Sequence, residues 1–299
     1  MANIGFIGLG HMGLPMAINL LKAGHNVSGF DLNSEAVKAL SDAGGKSVSS
    51  VIDLAQGQQV IFTMLQTGEQ VKQVCLGEAG FYQCAMPGLL HIDCSSIDVE
   101  STLALHKAAQ QQSIPMLDAP VSGGVKGAQM GSLTLMVGGD INALALAKSY
   151  LEVVSHKIVH TGPAGTGQIA KICNNLLLGI SMVAVSEAFV LAEKLGLSAE
   201  KLFEVVSSSS GQCWAMSQYA PVPGLLPHTP ASNHYQPGFT AAMMLKDLNL
   251  SQQAAQMTQT HTALGARVTQ MYQQLVNEGQ GALDFSIIFQ QIANATCVE

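Results

Sequence analysis

The sequence predicts an α/β domain built on a parallel sheet over residues 1–163, followed by an all-α domain over residues 164–299. Two observations carry this expectation. In the first half, short β-type apolar runs alternate with helical stretches, the pattern of a sheet covered by helices on both faces. After the cluster Gly162-Pro163-Ala164-Gly165-Thr166-Gly167 the alternation stops and only helical patterns remain.

The strands are read at Ile4–Ile7, Val27–Phe30, Val60–Thr63, Leu89–Asp93, Met116–Asp118, Leu133–Val137 and Lys157–Val159. Helices are read at Pro15–Ala23, Glu35–Ala43, Glu69–Cys75, Glu100–Gln111 and Ala143–Val154. Beyond the Gly/Pro cluster, Gln168–Leu195 reads as one helix, roughly 40 Å long at 1.5 Å per residue. Ser198 is a suitable N-cap for the next helix, and Lys246–Met257, Ala263–Glu278 and Phe285–Ala295 follow. Ser207–Phe239 is too long for an ordinary connection. Its aromatic residues Trp214, Tyr219 and Tyr235 predict an ordered loop.

Composition narrows the function classes. The chain of 299 residues is 48% hydrophobic and 11% charged, which suits a globular protein with a large core. A net charge of -7 leaves no electrostatic footprint for nucleic acid or an anionic membrane. The 6 cysteines, Cys75, Cys84, Cys94, Cys173, Cys213 and Cys297, form no CxxC pair and have no His at zinc spacing. They read as buried, reduced thiols in a cytoplasmic protein, and no metal site is expected. Met1-Ala2 leads straight into the first strand, so no targeting segment is expected. The apolar stretch Leu176–Val185 is too short to span a bilayer and reads as a helix buried on most of its surface. So apolar a helix also predicts a homo-oligomer, dimer or tetramer.

Gly8-Leu9-Gly10-His11-Met12-Gly13 is G-x-G-x-x-G, set between a strand and a helix as a Rossmann dinucleotide site requires. Gly8 permits the tight turn, Gly10 lets the backbone approach a pyrophosphate, and Gly13 lets helix and strand pack closely. His11 and Met12 fill the variable positions beside the phosphates. Asp31, 18 residues after Gly13, ends the second strand, where a carboxylate accepts from a ribose 2′-OH and repels a 2′-phosphate. No Arg follows it, so NAD is expected over NADP. The other reading of Asp31 is a helix cap.

For chemistry on a hydroxyl group, no His–Asp pair stands out. His91, His106, His156 and His160 read as structural or surface histidines. Lys171 lies in an otherwise uncharged helical run, with Asn174 and Asn175 three and four residues on, on the same face. Desolvation there would make it a usable base, and spacing alone supports equally a lysine that reaches solvent. Ser122-Gly123-Gly124 follows a strand and could offer a hydroxyl and consecutive N–H groups to a carboxylate; alone it reads as a plain turn.

Together, Gly8–Gly13 with Leu14-Pro15-Met16-Ala17, Asp118–Gly124, Gly167–Asn175 and Lys246-Asp247 make the chain resemble the β-hydroxyacid dehydrogenase family over essentially its whole length. The resemblance implies that Lys171 is the catalytic acid/base and that Asn175 orients the substrate. It also implies that Ser122, Gly123 and Gly124 hold the substrate carboxylate. Leu65, Gln66 and Ser96 would line the nicotinamide half of the NAD site, with Lys246 near cofactor and substrate from the second domain. Gln66 stands where a proline is common in the family. Within the family the Ser208–Trp214 stretch, Tyr219–Gly224 and Phe239 are similar to the 3-hydroxyisobutyrate dehydrogenase branch. That likeness implies oxidation of 3-hydroxyisobutyrate to methylmalonate semialdehyde in valine catabolism, with Trp214, Tyr219 and Phe239 around the substrate. Other readings are an L-serine or 3-hydroxypropionate dehydrogenase, an NADPH-linked tartronate or succinic semialdehyde reductase, and an NAD-binding protein without turnover.

Overall fold

The computed structural model describes residues 1–295; Cys297 lies outside them. The chain divides into two compact units, Met1–Lys171 and Ile172–Glu299.

The strands of the first unit are β1 (Asn3–Ile7), β2 (Asn26–Phe30), β3 (Lys46–Ser47), β4 (Val60–Thr63), β5 (Leu90–Asp93), β6 (Met116–Asp118), β7 (Val121–Ser122), β8 (Leu133–Gly139) and β9 (Ser155–Gly162). Between them run α1 (Gly13–Lys22), α2 (Ser34–Asp42), α3 (Val51–Ala55), α4 (Gly68–Leu76), α5 (Val99–Gln111), α6 (Gly124–Met130) and α7 (Ile141–Val154). The sheet order is β3-β2-β1-β4-β5-β6-β8-β7, with β9 on β8. The first six strands are parallel, in the doubly wound order that reverses between β1 and β4. The parallel sheet that the sequence predicts is found over β1–β6; β8 runs antiparallel to β6 and β7. The chain between β6 and β8 runs through β7 and α6, and β8 returns antiparallel along β7 and so against β6.

Period-two alternation sends Ile4, Phe6, Val60, Phe62, Leu90 and Ile92 to one face, against Met16 and Leu20 of α1. Ile7, Ile61 and Met116 face the other side, against Val71 of α4 and Leu105 of α5. Every residue of β4, β5 and β6 is buried, as expected of strands covered on both faces.

A single helix, α8 (Thr166–Lys194), leads from the first unit into the second. It is followed by α9 (Ala199–Val206), α10 (Trp214–Ser217), α11 (Ala241–Met257), α12 (Ala263–Leu275) and α13 (Ile288–Asn294). α11 and α12 pack on α8 at glycine-sized approaches. A Cβ on Gly179 would meet Leu248 at 3.0 Å, and one on Gly265 would meet Leu176 at 2.6 Å. Met182, Phe189, Met244, Leu248, Tyr272 and Phe285 form this unit's core. The last turn expected of α12 is instead a π turn over Val276–Gln280, where Gly279 takes φ 84°.

α8 is less buried than its sequence suggests. Ile169, Leu177 and Leu191 are exposed, and so is Cys173, against the expectation that all thiols are buried. Among the described residues it is the one helix long and apolar enough to cross a membrane by length and composition, and half of its apolar window is buried within the chain.

Candidate active site

The glycine-rich turn sits at the C-terminal end of β1, beside the reversal of strand order. Gly8 takes φ 95°, and a Cβ there would stand 2.3 Å from the Met64 carbonyl. A Cβ on Gly13 would stand 1.9 Å from the Gly8 carbonyl. Gly10 differs from both: it is exposed, has no positive φ, and its Cβ direction meets nothing within 4 Å. Nothing in the protein requires a glycine there, so the space suits a ligand. α1 begins beside it with no side-chain cap; Leu14 and Met16 N–H donate to the Gly10 and Met12 carbonyls and Pro15 has no N–H, so an anion here would be held by N–H groups of the turn itself. His11 is exposed, while Met12 leans against the core.

Asp31 is not the helix cap that it could have been. Asn33 caps α2 by accepting from Glu35 N–H. Asp31 Oδ2 accepts from Leu9 N–H at 2.6 Å inside the glycine turn, and Oδ1 from Asn33 N–H at 2.7 Å. The carboxylate is thus fixed beside the turn, where a ribose hydroxyl would meet it. These features fit a dinucleotide.

The neighbouring loops are braced. Leu65 N–H donates to Ser95 Oγ at 2.9 Å and Gln66 N–H to Gln70 Oε1 at 3.0 Å. Below them, Thr63 donates to Asp93 Oδ1 at 2.8 Å, and His91 bridges Thr63 and Tyr82. Burial pushes the His91 pKa down to about 3, so it stays neutral. It is a core histidine.

At the end of β7, Gly123 and Gly124 take φ 135° and 64°, conformations that only glycine adopts readily. Gly123 and Gly124 are exposed and Ser122 is half-buried. Lys171, half-buried, lies near the start of α8, and Asn175, buried, lies one turn on. Asn175 Nδ2 donates to Asp247 Oδ2; Lys246 Nζ lies 3.2 Å from Asp247 Oδ1. Asn174, expected on the same functional face, is exposed and donates to Asn175 Oδ1 at 2.9 Å.

The aromatic loop is ordered around a residue that sequence reasoning did not single out. Asp284 Oδ2 accepts from Tyr219 Oη–H at 3.0 Å, Gly238 N–H at 3.0 Å and Phe239 N–H at 3.1 Å. Its Oδ1 accepts from Ser286 N–H and Oγ–H. Burial pushes the Asp284 carboxyl pKa up against these bonds. Trp214 stacks on Tyr219 at 4.8 Å, Tyr219 on Phe285 at 5.4 Å, and Phe239 meets Phe285 edge-on at 5.7 Å. Trp214 keeps half of its surface exposed. Asp284→Ala would orphan several buried donors and is expected to cost about 3 kcal/mol, measured by thermal denaturation.

Asp284 has no sequence signal, and Asp247 stands out only as part of Lys246-Asp247, with no role of its own. No His–Asp pair stands out in the sequence; the structure brings His106 Nε2 within 2.8 Å of Asp118 Oδ1. The two lie on α5 and β6, and spacing along the chain does not reveal such a meeting.

A doubly wound sheet with a glycine-rich turn at its first strand, braced by a carboxylate and followed by a helical domain, fits an NAD-binding oxidoreductase. Residues 3–162 match the family profile described as the NAD binding domain of 6-phosphogluconate dehydrogenase. Residues 165–292 match that described as NAD-binding of NADP-dependent 3-hydroxyisobutyrate dehydrogenase. The chain belongs to the β-hydroxyacid dehydrogenase family. It is 44% identical to the NAD-dependent L-serine dehydrogenase of Pseudomonas aeruginosa over 288 residues, 96% of this chain and 97% of the relative. It is equally 44% identical to a 3-hydroxyisobutyrate dehydrogenase of the same organism over 291 residues, with the same coverage. A solved structure of Mycobacterium tuberculosis 3-hydroxyisobutyrate dehydrogenase with L-serine superposes with a TM-score of 0.93 at 42% identity, covering 99% of this chain and 100% of that one.

Proposed function

We propose that the protein oxidises 3-hydroxyisobutyrate to methylmalonate semialdehyde with NAD, using Lys171 as acid/base. The observation that carries this reading is the half-buried Lys171 one turn before buried Asn175 on α8, in a chain whose glycine turn fits a dinucleotide. Ser122 Oγ and the N–H groups of Gly123 and Gly124 hold the substrate carboxylate. Lys171 Nζ takes the hydroxyl proton as the carbonyl forms, and Asn175, oriented by Asp247, fixes the hydroxyl oxygen. NAD, when bound across Gly8–Gly13 with its ribose on Asp31, supplies the hydride acceptor. Leu65, Gln66 and Ser96 hold its nicotinamide half, and Lys246 is a further cofactor-binding residue on this reading. Trp214, Tyr219 and Phe239 favour the methyl group of this substrate over a second polar group.

L-serine is the second reading, favoured by a relative of equal identity named for that substrate. The test is kcat/KM for 3-hydroxyisobutyrate, L-serine, 3-hydroxypropionate and D-glycerate, each with NAD and NADP. The expected order puts 3-hydroxyisobutyrate with NAD first. A preference for serine would keep Lys171 in its role and refute the aromatic-pocket reading. A preference for NADP would refute the role of Asp31.

On the same reading, residues 1–163 bind the cofactor and residues 164–299 carry substrate and oligomer contacts. The apolar exposed face of α8 supports a homodimer or homotetramer. The free thiols among the described residues suit a cytoplasmic enzyme of valine catabolism.

A further inference from the structure

The proposed reaction uses Ser122–Gly124 and leaves Asp118, at the head of the same segment, without a part. The Asp118 carboxylate is fully buried at the end of β6. Its Oδ1 accepts from Gly165 N–H at 2.8 Å and lies 2.8 Å from His106 Nε2. Its Oδ2 accepts from Gln168 N–H at 3.1 Å. Gly165 directly precedes α8, and Gln168 lies in its first turn. These are N–H groups that a helix cannot satisfy internally, and a negative charge there complements the helix dipole. Asp118 therefore caps α8 from 47 to 50 residues away in sequence.

The backbone is cut to receive this carboxylate. A Cβ on Gly138 of β8 would stand 2.7 Å from both of its oxygens. One on Gly167 would stand 2.8 Å from Oδ2 and 2.4 Å from the Met136 carbonyl. Gln168 adds a second tether. Its buried side chain donates from Nε2 to the Ser95 carbonyl at 2.7 Å, and its Oε1 accepts from Ile97 N–H at 3.2 Å. Ser95 Oγ in turn holds Leu65 N–H. All of these residues lie within the compact unit Met1–Lys171.

We propose that Asp118, together with Gln168, is a positioning residue for the reaction. The pair fixes the first turn of α8, and so the start of the Lys171 side chain, against the strand leading to Ser122–Gly124 and the loop bearing Ser96. The inference rests on the reading of Lys171 as acid/base. A carboxylate is needed because both oxygens must accept. In Asp118→Asn, an NH₂ group replaces one oxygen and confronts the N–H of Gly165 or of Gln168.

The experiment is a double-mutant cycle of D118N and K171A in the full-length enzyme. NAD affinity is read by fluorescence titration and folding by thermal denaturation. D118N is expected to fold, to bind NAD within about twofold of wild type and to lose about 30-fold in kcat, because small displacements of reacting groups have large rate effects. Its KM for the hydroxy acid stays within about threefold. In the K171A background the same substitution costs less than about twofold, since the group it positions is gone. Equal losses in both backgrounds, or a loss confined to NAD affinity or KM, would overturn the positioning role. K171A with undiminished turnover would instead overturn the reading of Lys171 itself, whatever D118N does alone. If D118N does not fold, Gln168→Met enters the same cycle and is judged by the same outcomes.

Discussion

Lys171→Ala is expected to lower kcat by roughly 10³-fold while leaving NAD affinity within about threefold, the pattern of a lost acid/base group. The lysine is placed by α8, an uninterrupted helix, so truncating its side chain leaves the backbone and the Asp118 cap in place. The loss should fall on kcat and kcat/KM together, because proton transfer takes place in the transition state. Steady-state kinetics with each reactant varied will separate these terms. A variant whose KM rises while kcat holds would make Lys171 a binding residue.

The second large effect distinguishes two glycines of one motif. Gly10→Val is expected to change stability by no more than about 0.5 kcal/mol, since its Cβ meets open space. The same substitution should weaken NAD binding by roughly 100-fold, about 2.7 kcal/mol, by filling the space where the pyrophosphate approaches. Gly13→Ala is expected to do the reverse in origin. Its Cβ would press on the Gly8 carbonyl, so it should cost about 3 kcal/mol of stability before any ligand is considered. Thermal denaturation with and without NAD measures both. If Gly10→Val bound NAD normally, the space beside Gly10 would have no part in the cofactor site.

Much of the fold could be read from local pattern. The buried strands β1, β4, β5 and β6 are short apolar runs flanked by turn residues, and each was found within a residue or two. The two-residue strand β3 and the five-residue α3 are too short to carry a period. α6 is Gly- and Ala-rich, with little apolar contrast between its faces. The reversed direction of β8 left no trace, because hydropathy carries no strand polarity. The glycine turn and Asp31 were readable because the motif is local and each glycine has its own steric reason. Asp118 and Asp284 were not, because the bonds that give each its place, from Gly165 and Gln168 to Asp118 and from Tyr219, Gly238 and Phe239 to Asp284, span 45 or more residues. The exposure of Cys173 depends on which face of α8 is covered, and composition is silent on that.

The central claim, that this chain moves a hydride from a small 3-hydroxy acid to NAD, is tested most directly by following reduced-nicotinamide absorbance on mixing purified protein, NAD and 3-hydroxyisobutyrate. A steady rise that requires both reactants and is abolished by Lys171→Ala is the predicted result. Saturable NAD binding with no rise, for this acid or for L-serine, would contradict the claim and leave a nucleotide-binding protein in place of a dehydrogenase.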